Sequence, residues 1–297
     1  MIIIFLIQFI LLTQAHDCET IYSTLNSNST FLDLSIDEAF ECVDSMVLDV
    51  TKKQEALKWI SYIMDAYVFK DILKSPPQPY ANEIYYETVD IDEEIKIINS
   101  SNSSSFYEFY NSIFKMIVKT RDNHLSFTID RSYRLPHSNI YYFYYYAPFA
   151  LSISDLHLYL KPMVVSQLTG ITVPEEVEKY KDVAVESING KDPLDFIREF
   201  GKQFTQLKCP HAQFSYSTIH STFGPMYSTP LPKEYLKSEI KVKYTGVEKE
   251  VVYNYRIAFI NPYKISKAAQ QRIESFMEKE SVPVRFEDVF ETEEMFI

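Results

Sequence analysis

The sequence predicts an α+β fold, with an N-terminal helical region followed by a β-rich module, and three observations carry that expectation. Between Ser35 and Thr120 the apolar residues recur near the 3.6-residue helical period. After His124 the texture turns to short runs of β-branched and aromatic residues. Within that second region Asn189-Gly190 is an Asn-Gly pair of the kind that closes hairpins. The 297 residues, 46% hydrophobic and 24% charged, are enough to bury one large core or two smaller ones.

The first stretch, "MIIIFLIQFILLTQA", is an apolar run that ends on a small residue and is followed by polar "HDCET". It is shorter than the roughly 20 apolar residues of a membrane span and matches a signal-peptide core cleaved after Ala15. No Lys or Arg precedes it, so an uncleaved anchor and a buried helix stay open as alternatives. The expectation is a signal peptide over 1–15, a product in the secreted or endomembrane lumen route, and no membrane span after cleavage. Asn28, Asn99 and Asn102 are N-glycosylation acceptors, the last two in "NSSNSSS", which reads as an exposed loop. Cys18 and Cys42 bracket a short segment and can pair as a disulfide, which leaves Cys209 to be read as a buried thiol.

Residues 16–120 form the expected helical region. "SIDEAFECVDSMVL" opens with Ser35 as N-cap and Glu38 three residues on, the capping-box spacing. "KKQEALKWISYIMDAYVFKDIL" reads as one helix with Leu57, Ile60, Tyr62, Ile63, Tyr67 and Ile72 on its apolar face, stopped by "KSPPQP". Two more helices are expected around "DIDEEIKII" and "SFYEFYNSIFKMIVK".

Residues 121–260 form the expected β-rich module, and 261–297 an acidic C-terminal helix or linker. The strand runs are "HLSFTI", "IYYFYYYAPFALSI", "HLYLKPMVV" and "DVAVESI". A helix follows in "DPLDFIREFGKQF", with Asp192 as N-cap and Pro193 at its first position. "EIKVKYTGVEKEVVYNYRIAF" reads as a hairpin turning at Thr245-Gly246.

Composition excludes several function classes. With 41 acidic against 29 basic side chains, the net charge of -12 repels phosphate backbones, so no nucleic-acid partner is expected. The 23 Tyr and 21 Phe are not interleaved with basic residues and read as core and strand faces. Five scattered glycines form no phosphate-cradling loop. The six histidines show neither H-E-x-x-H nor Cys/His spacing, and no G-x-S-x-G elbow occurs, so no cofactor or metal is expected.

One join does carry chemistry. "TRDNHLSF", residues 120–127, places Asp122 and His124 where helix hands over to strand. By itself this reads as a histidine that bonds the neighbouring carboxylate and closes the turn. Together, "FYEFYNSIFKMIVKTRDNHLSF" and "VAVESINGKDPLDFIREFG" resemble the N-terminal half of the tail-specific, or C-terminal-processing, serine peptidase family. The resemblance is to the branch with a PDZ-like domain, similar to that of the chlamydial protease-like activity factor, and it covers residues 35–260. It implies that the β-rich module is PDZ-like and that His124 corresponds to the general base, with Asp122 supporting it. Asn123 stands where the family has glycine, a replacement that a left-handed turn tolerates.

The nucleophilic serine and the glutamate of that family have no counterpart here, so the resemblance implies an absent catalytic core. Without a hydroxyl beside the imidazole there is no acyl transfer. Ser126 is the nearest hydroxyl in sequence, and strand alternation makes it a structural one. The expectation is a secreted peptidase homologue without autonomous activity that takes a peptide or protein C-terminus on its PDZ-like module. Two alternatives stay open: the N-terminal half of an active serine endopeptidase completed by a missing or separate catalytic core, and a secreted surface or adhesion glycoprotein without peptide specificity.

Overall fold

A computed structural model of the chain describes residues 18–27, 31–46, 48–77, 88–102, 105–125, 142–163, 172–226 and 229–260. The signal-peptide stretch, Asn28, Ser126 and the acidic C-terminal segment lie outside the described residues.

The chain begins with α1 (Cys18–Ser27), β1 (Phe31–Leu34) and α2 (Ile36–Ser45). A disulfide between Cys18 and Cys42 ties α1 to α2. The capping box forms at Ser35, whose backbone N–H donates to Glu38 Oε2 at 2.8 Å while its Oγ accepts from the Glu38 N–H at 3.3 Å.

The single long helix expected next is two. α3 (Val50–Asp65) stops at Ala66, residues 66–69 turn, and α4 (Lys70–Lys74) follows. Tertiary partners outweigh helix propensity here. The turn lets the Tyr67 hydroxyl reach Asp122, and Lys70 and Lys74 pair with Asp92 and Asp90 at 2.7 and 2.8 Å. The expected apolar face is also corrected: Leu57 and Ile60 are buried, but Tyr62, Ile63 and Ile72 face water.

α5 (Ile91–Ser100) and α6 (Phe106–Thr120) are capped by the side chains of Asp90 and Ser105. Asn99 therefore sits in the last turn of α5 and not in a loop, and its Oδ1 accepts from Gln54. The buried Lys53 ends that helix by donating to the carbonyls of Asn99 and Ser101 at 3.2 and 2.7 Å.

Beyond residue 141 the strands of the described residues divide among three sheets. β2 (Tyr142–Tyr146), β6 (Phe223–Pro225) and β9 (Arg256–Ile260) join β1 in an antiparallel sheet of order β1-β9-β2-β6. β3 (Ala150–Ser154) and β4 (His157–Lys161) form a hairpin through Asp155-Leu156. β5 (Val185–Ile188), β7 (Ile240–Tyr244) and β8 (Val251–Tyr253) form the third sheet, ordered β5-β7-β8. The run 140–153 is thus two strands in different sheets, parted at Pro148, because proline donates no ladder hydrogen bond. The expected hairpin strand after Gly246 likewise breaks at Asn254-Tyr255, and β9 crosses to the first sheet.

Among the described residues four helices interleave with these strands: α7 (Glu175–Tyr180), α8 (Pro193–Phe204), α9 (Pro210–His220) and α10 (Lys233–Lys237). Only α8 is legible from sequence, through Asp192 and Pro193, and the fold is α+β with antiparallel sheets. One hydrophobic cluster runs from Ile21 to Phe259 and joins α1, α2 and β1 to all three sheets, so the expected boundary at residue 120 is crossed by shared packing. A second cluster lies among α3, α5 and α6. Helix α6 serves both, giving Tyr107 to the first and Phe109, Ile113, Met116 and Ile117 to the second. The tyrosines in the large core keep their hydroxyls bonded: Tyr107, Tyr145 and Tyr255 donate to the carbonyls of Leu231, His220 and Ser221 at 2.6 to 2.7 Å.

Candidate functional site

The turn after α6 positions the residues singled out in "TRDNH". Arg121 ends the helix in the left-handed region at φ 52, and its guanidinium donates to the carbonyls of Lys202 and Thr205 at 2.6 and 2.8 Å. Those carbonyls close the C-terminal end of α8, where cations are favoured. Arg121 thereby latches the turn to the module that carries Asn189-Gly190.

Asp122 is the centre of the turn. Its Oδ1 accepts from the His124 backbone N–H at 2.9 Å and lies 2.9 Å from His124 Nδ1, while its Oδ2 accepts from the Tyr67 hydroxyl at 2.7 Å. Burial works to raise the Asp122 pKa, but the hydrogen bonds from His124 and Tyr67 outweigh it and hold the carboxyl below its usual range. Burial and then the adjacent carboxylate push the Tyr67 phenol up. The His124 side chain is 97% exposed against 14% for Asp122. Asp122 is fixed and the imidazole stands in water, oriented by one nitrogen. Among the described residues the ring bonds Asp122 alone, and no hydroxyl lies within reach of its other nitrogen. This is a carboxylate-oriented imidazole, able to move a proton for a group brought to it.

A second arrangement is invisible in the sequence. A groove of about 590 Å³ runs between α7 and β8, bordered by Glu176, Lys179 and Tyr180 on one side and by Lys249, Glu250 and Val251–Tyr253 on the other. Strand β8 is the edge of its sheet among the described residues. The Lys241 N–H and C=O both bond Asn189, on the β5 side, so in the β7-β8 pair Lys241↔Val252 is the non-hydrogen-bonded one. The N–H and C=O of Val252 consequently point away from β7, toward the open edge. Arg256 at the end of the groove is already engaged, donating to Asp33 at 2.7 Å.

The turn expected at Asn189-Gly190 forms, with φ of 52 and 75, and the Asn189 side chain accepts from Lys241 at 2.8 Å. It holds the β5-β7 edge and lies outside the groove lining. Asn102 is exposed, next to the last turn of α5. Cys209 is exposed, not buried as expected, because it is the N-cap of α9, whose buried face begins at Gln213. No group of three or more His, Cys, Asp or Glu able to hold a metal occurs among the described residues, and none of their helices is long and apolar enough to cross a membrane. No family model, no curated protein and no solved structure matches the chain.

Proposed function

We propose that this is a secreted peptide-binding protein of tail-specific-peptidase type, inactive as a peptidase on its own residues, that takes an extended peptide or protein C-terminus as an added strand along β8. The third sheet with α7 and α8 is the PDZ-like part in this reading. The observation that carries it is the outward N–H and C=O of Val252 bordering the groove, since an added strand bonds through such edge groups. Lys249 and Lys179 stand in the lining beside Glu176 and Glu250, so a peptide carboxylate meets two lysines in a groove of mixed charge, and the apolar sides of Val251 and Tyr180 line it for alternate side chains.

The test is fluorescence anisotropy with a random peptide panel carrying free or amidated C-termini. Val252→Pro removes the edge donor while leaving the β7 ladder intact, and is expected to weaken binding by up to about tenfold, the loss of one hydrogen bond. Lys249→Glu is expected to abolish any preference for a free carboxylate. A wild-type protein that binds no peptide sinks the reading.

A second reading rests on the Asp122-oriented imidazole. If a serine is brought to His124 by a separate core, the pair becomes a general base, and a fluorophosphonate probe will label the complex in a His124-dependent way. Absence of labelling and of peptide hydrolysis in every preparation removes it. Loss of mass on treatment with a peptide N-glycosidase, mapped to Asn99 or Asn102, is the expected sign of the secretory route.

A further inference from the structure

Helix α3 turns its aromatic side to water. Trp59, Tyr62 and Ile63 lie within one 100° arc of the helix, on the side away from Leu57, Ile60 and Met64. Val68, Phe69 and Ile72 continue the apolar run through the turn and α4. These six side chains are between 47% and 80% exposed. Trp59 and Tyr62 already meet edge to face, with ring centroids 6.2 Å apart. Together they leave on the order of 700 Å² of side-chain surface in water. That exceeds the roughly 300–600 Å² of the largest apolar patch on a typical monomer, and it approaches the roughly 800 Å² per partner that a stable dimer covers.

We infer that the α3-α4 face is a two-fold self-association surface, occupied by the same face of a second copy of this chain. The charges beside the stripe favour this occupant over others. Lys52, Glu55, Lys58 and Asp65 are exposed on α3 with both signs at intervals along the helix, and Asp65 already pairs with Lys70 at 2.8 Å. A strongly acidic or basic partner, or an anionic membrane, gains nothing from such a rim. An antiparallel copy of the same helix meets both signs, as a self-complementary patch must. The net charge of -12 opposes the approach of two copies at long range, so association strengthens with added salt as screening grows.

Trp59 is the one tryptophan of the chain, so its emission reports the interface directly. Sedimentation velocity and tryptophan emission are measured on the full chain across a concentration series at low and high salt. The expected result is a concentration-dependent dimer, favoured by salt, with a blue shift of Trp59 emission that follows dimer formation. Tyr62→Glu and Ile63→Glu, at positions that face water in the monomer, are each expected to weaken association by about 30-fold or more while circular dichroism is unchanged. Val50→Glu, exposed on the opposite side of α3, leaves the dimer intact. A wild-type protein that stays monomeric at every concentration overturns the proposal, and so does a dimer that survives both substitutions. Adsorption of a monomeric wild type to phosphatidylcholine vesicles, with the same blue shift, assigns the face to lipid and overturns it as well.

Discussion

At the scale of single residues, His220 stands apart from the other described histidines. Its ring stacks on Tyr216 with centroids 3.8 Å apart, its Nδ1 has no hydrogen-bond partner among the described residues, and burial lowers its pKa to about 4. The unfolded chain takes up this proton near pH 6.5 and the folded chain only near 4, so stability falls as pH drops through that window. The loss amounts to about 3 kcal/mol. Urea unfolding from neutral pH to about pH 4 is expected to show this slope, and His220→Phe to flatten it. Asp122 acts in the same direction at lower pH: its lowered pKa contributes stability above the ordinary carboxylate range, lost as pH falls through the lowered value. Asp122→Ala removes the partner of Tyr67 and His124 and is expected to cost about 1–3 kcal/mol by urea unfolding at neutral pH. The bond between His124 and Asp122 is legible from the spacing, since a carboxylate two residues back in a tight turn reaches the imidazole. Tyr67 and Arg121 as the anchors of that turn are not, because their partners lie 55 and 81 to 84 residues away.

At the scale of elements, local signals are reliable where the chain satisfies itself within a few residues. The capping box at Ser35, the Asp192-Pro193 start of α8 and the Asn189-Gly190 turn all form as read. Two glycines separate local from tertiary demands. At Gly190 a Cβ meets nothing within 4 Å, so Gly190→Ala carries only left-handed backbone strain, partly offset in the unfolded chain, and is expected to cost about 1–2 kcal/mol. At Gly224 a Cβ collides with the fully buried Tyr145 ring across the β2-β6 pair. Gly224→Ala is expected to cost at least about 2 kcal/mol, and thermal melts of the two variants give the order directly. The break between α3 and α4 belongs to the same class: periodicity runs through it, and only the ion pairs of Lys70 and Lys74 and the reach of Tyr67 end the helix.

At the scale of the whole molecule, β1 near the start of the described chain pairs with β9 at its end, and the Cys18–Cys42 disulfide fastens α1 to the α2 side of that closure. The bridge spans 24 residues, and Cys42 is fully buried in the large core. Paired replacement of Cys18 and Cys42 by serine is expected to lower stability by about 3 kcal/mol through the freed unfolded chain. Reductant should then shift the wild-type melting temperature and leave that of the double variant unchanged. Such closure also explains why a boundary at residue 120 has no counterpart in the packing. Helix α6 crosses between the two hydrophobic clusters and gives side chains to both.

By itself the sequence determined the class of the fold, the caps that begin α2 and α8, the helices α5 and α6, the Asn189-Gly190 turn and the carboxylate beside His124. Each of these is settled by hydrogen bonds and side-chain periodicity within a few residues. The tertiary structure alone decided which strands share a sheet, that β8 is an edge with Val252 facing outward, and that the apolar side of α3 divides between core and water. Sheet order and exposure depend on contacts between residues far apart in the chain, and a periodic pattern reports an apolar face without saying whether anything covers it.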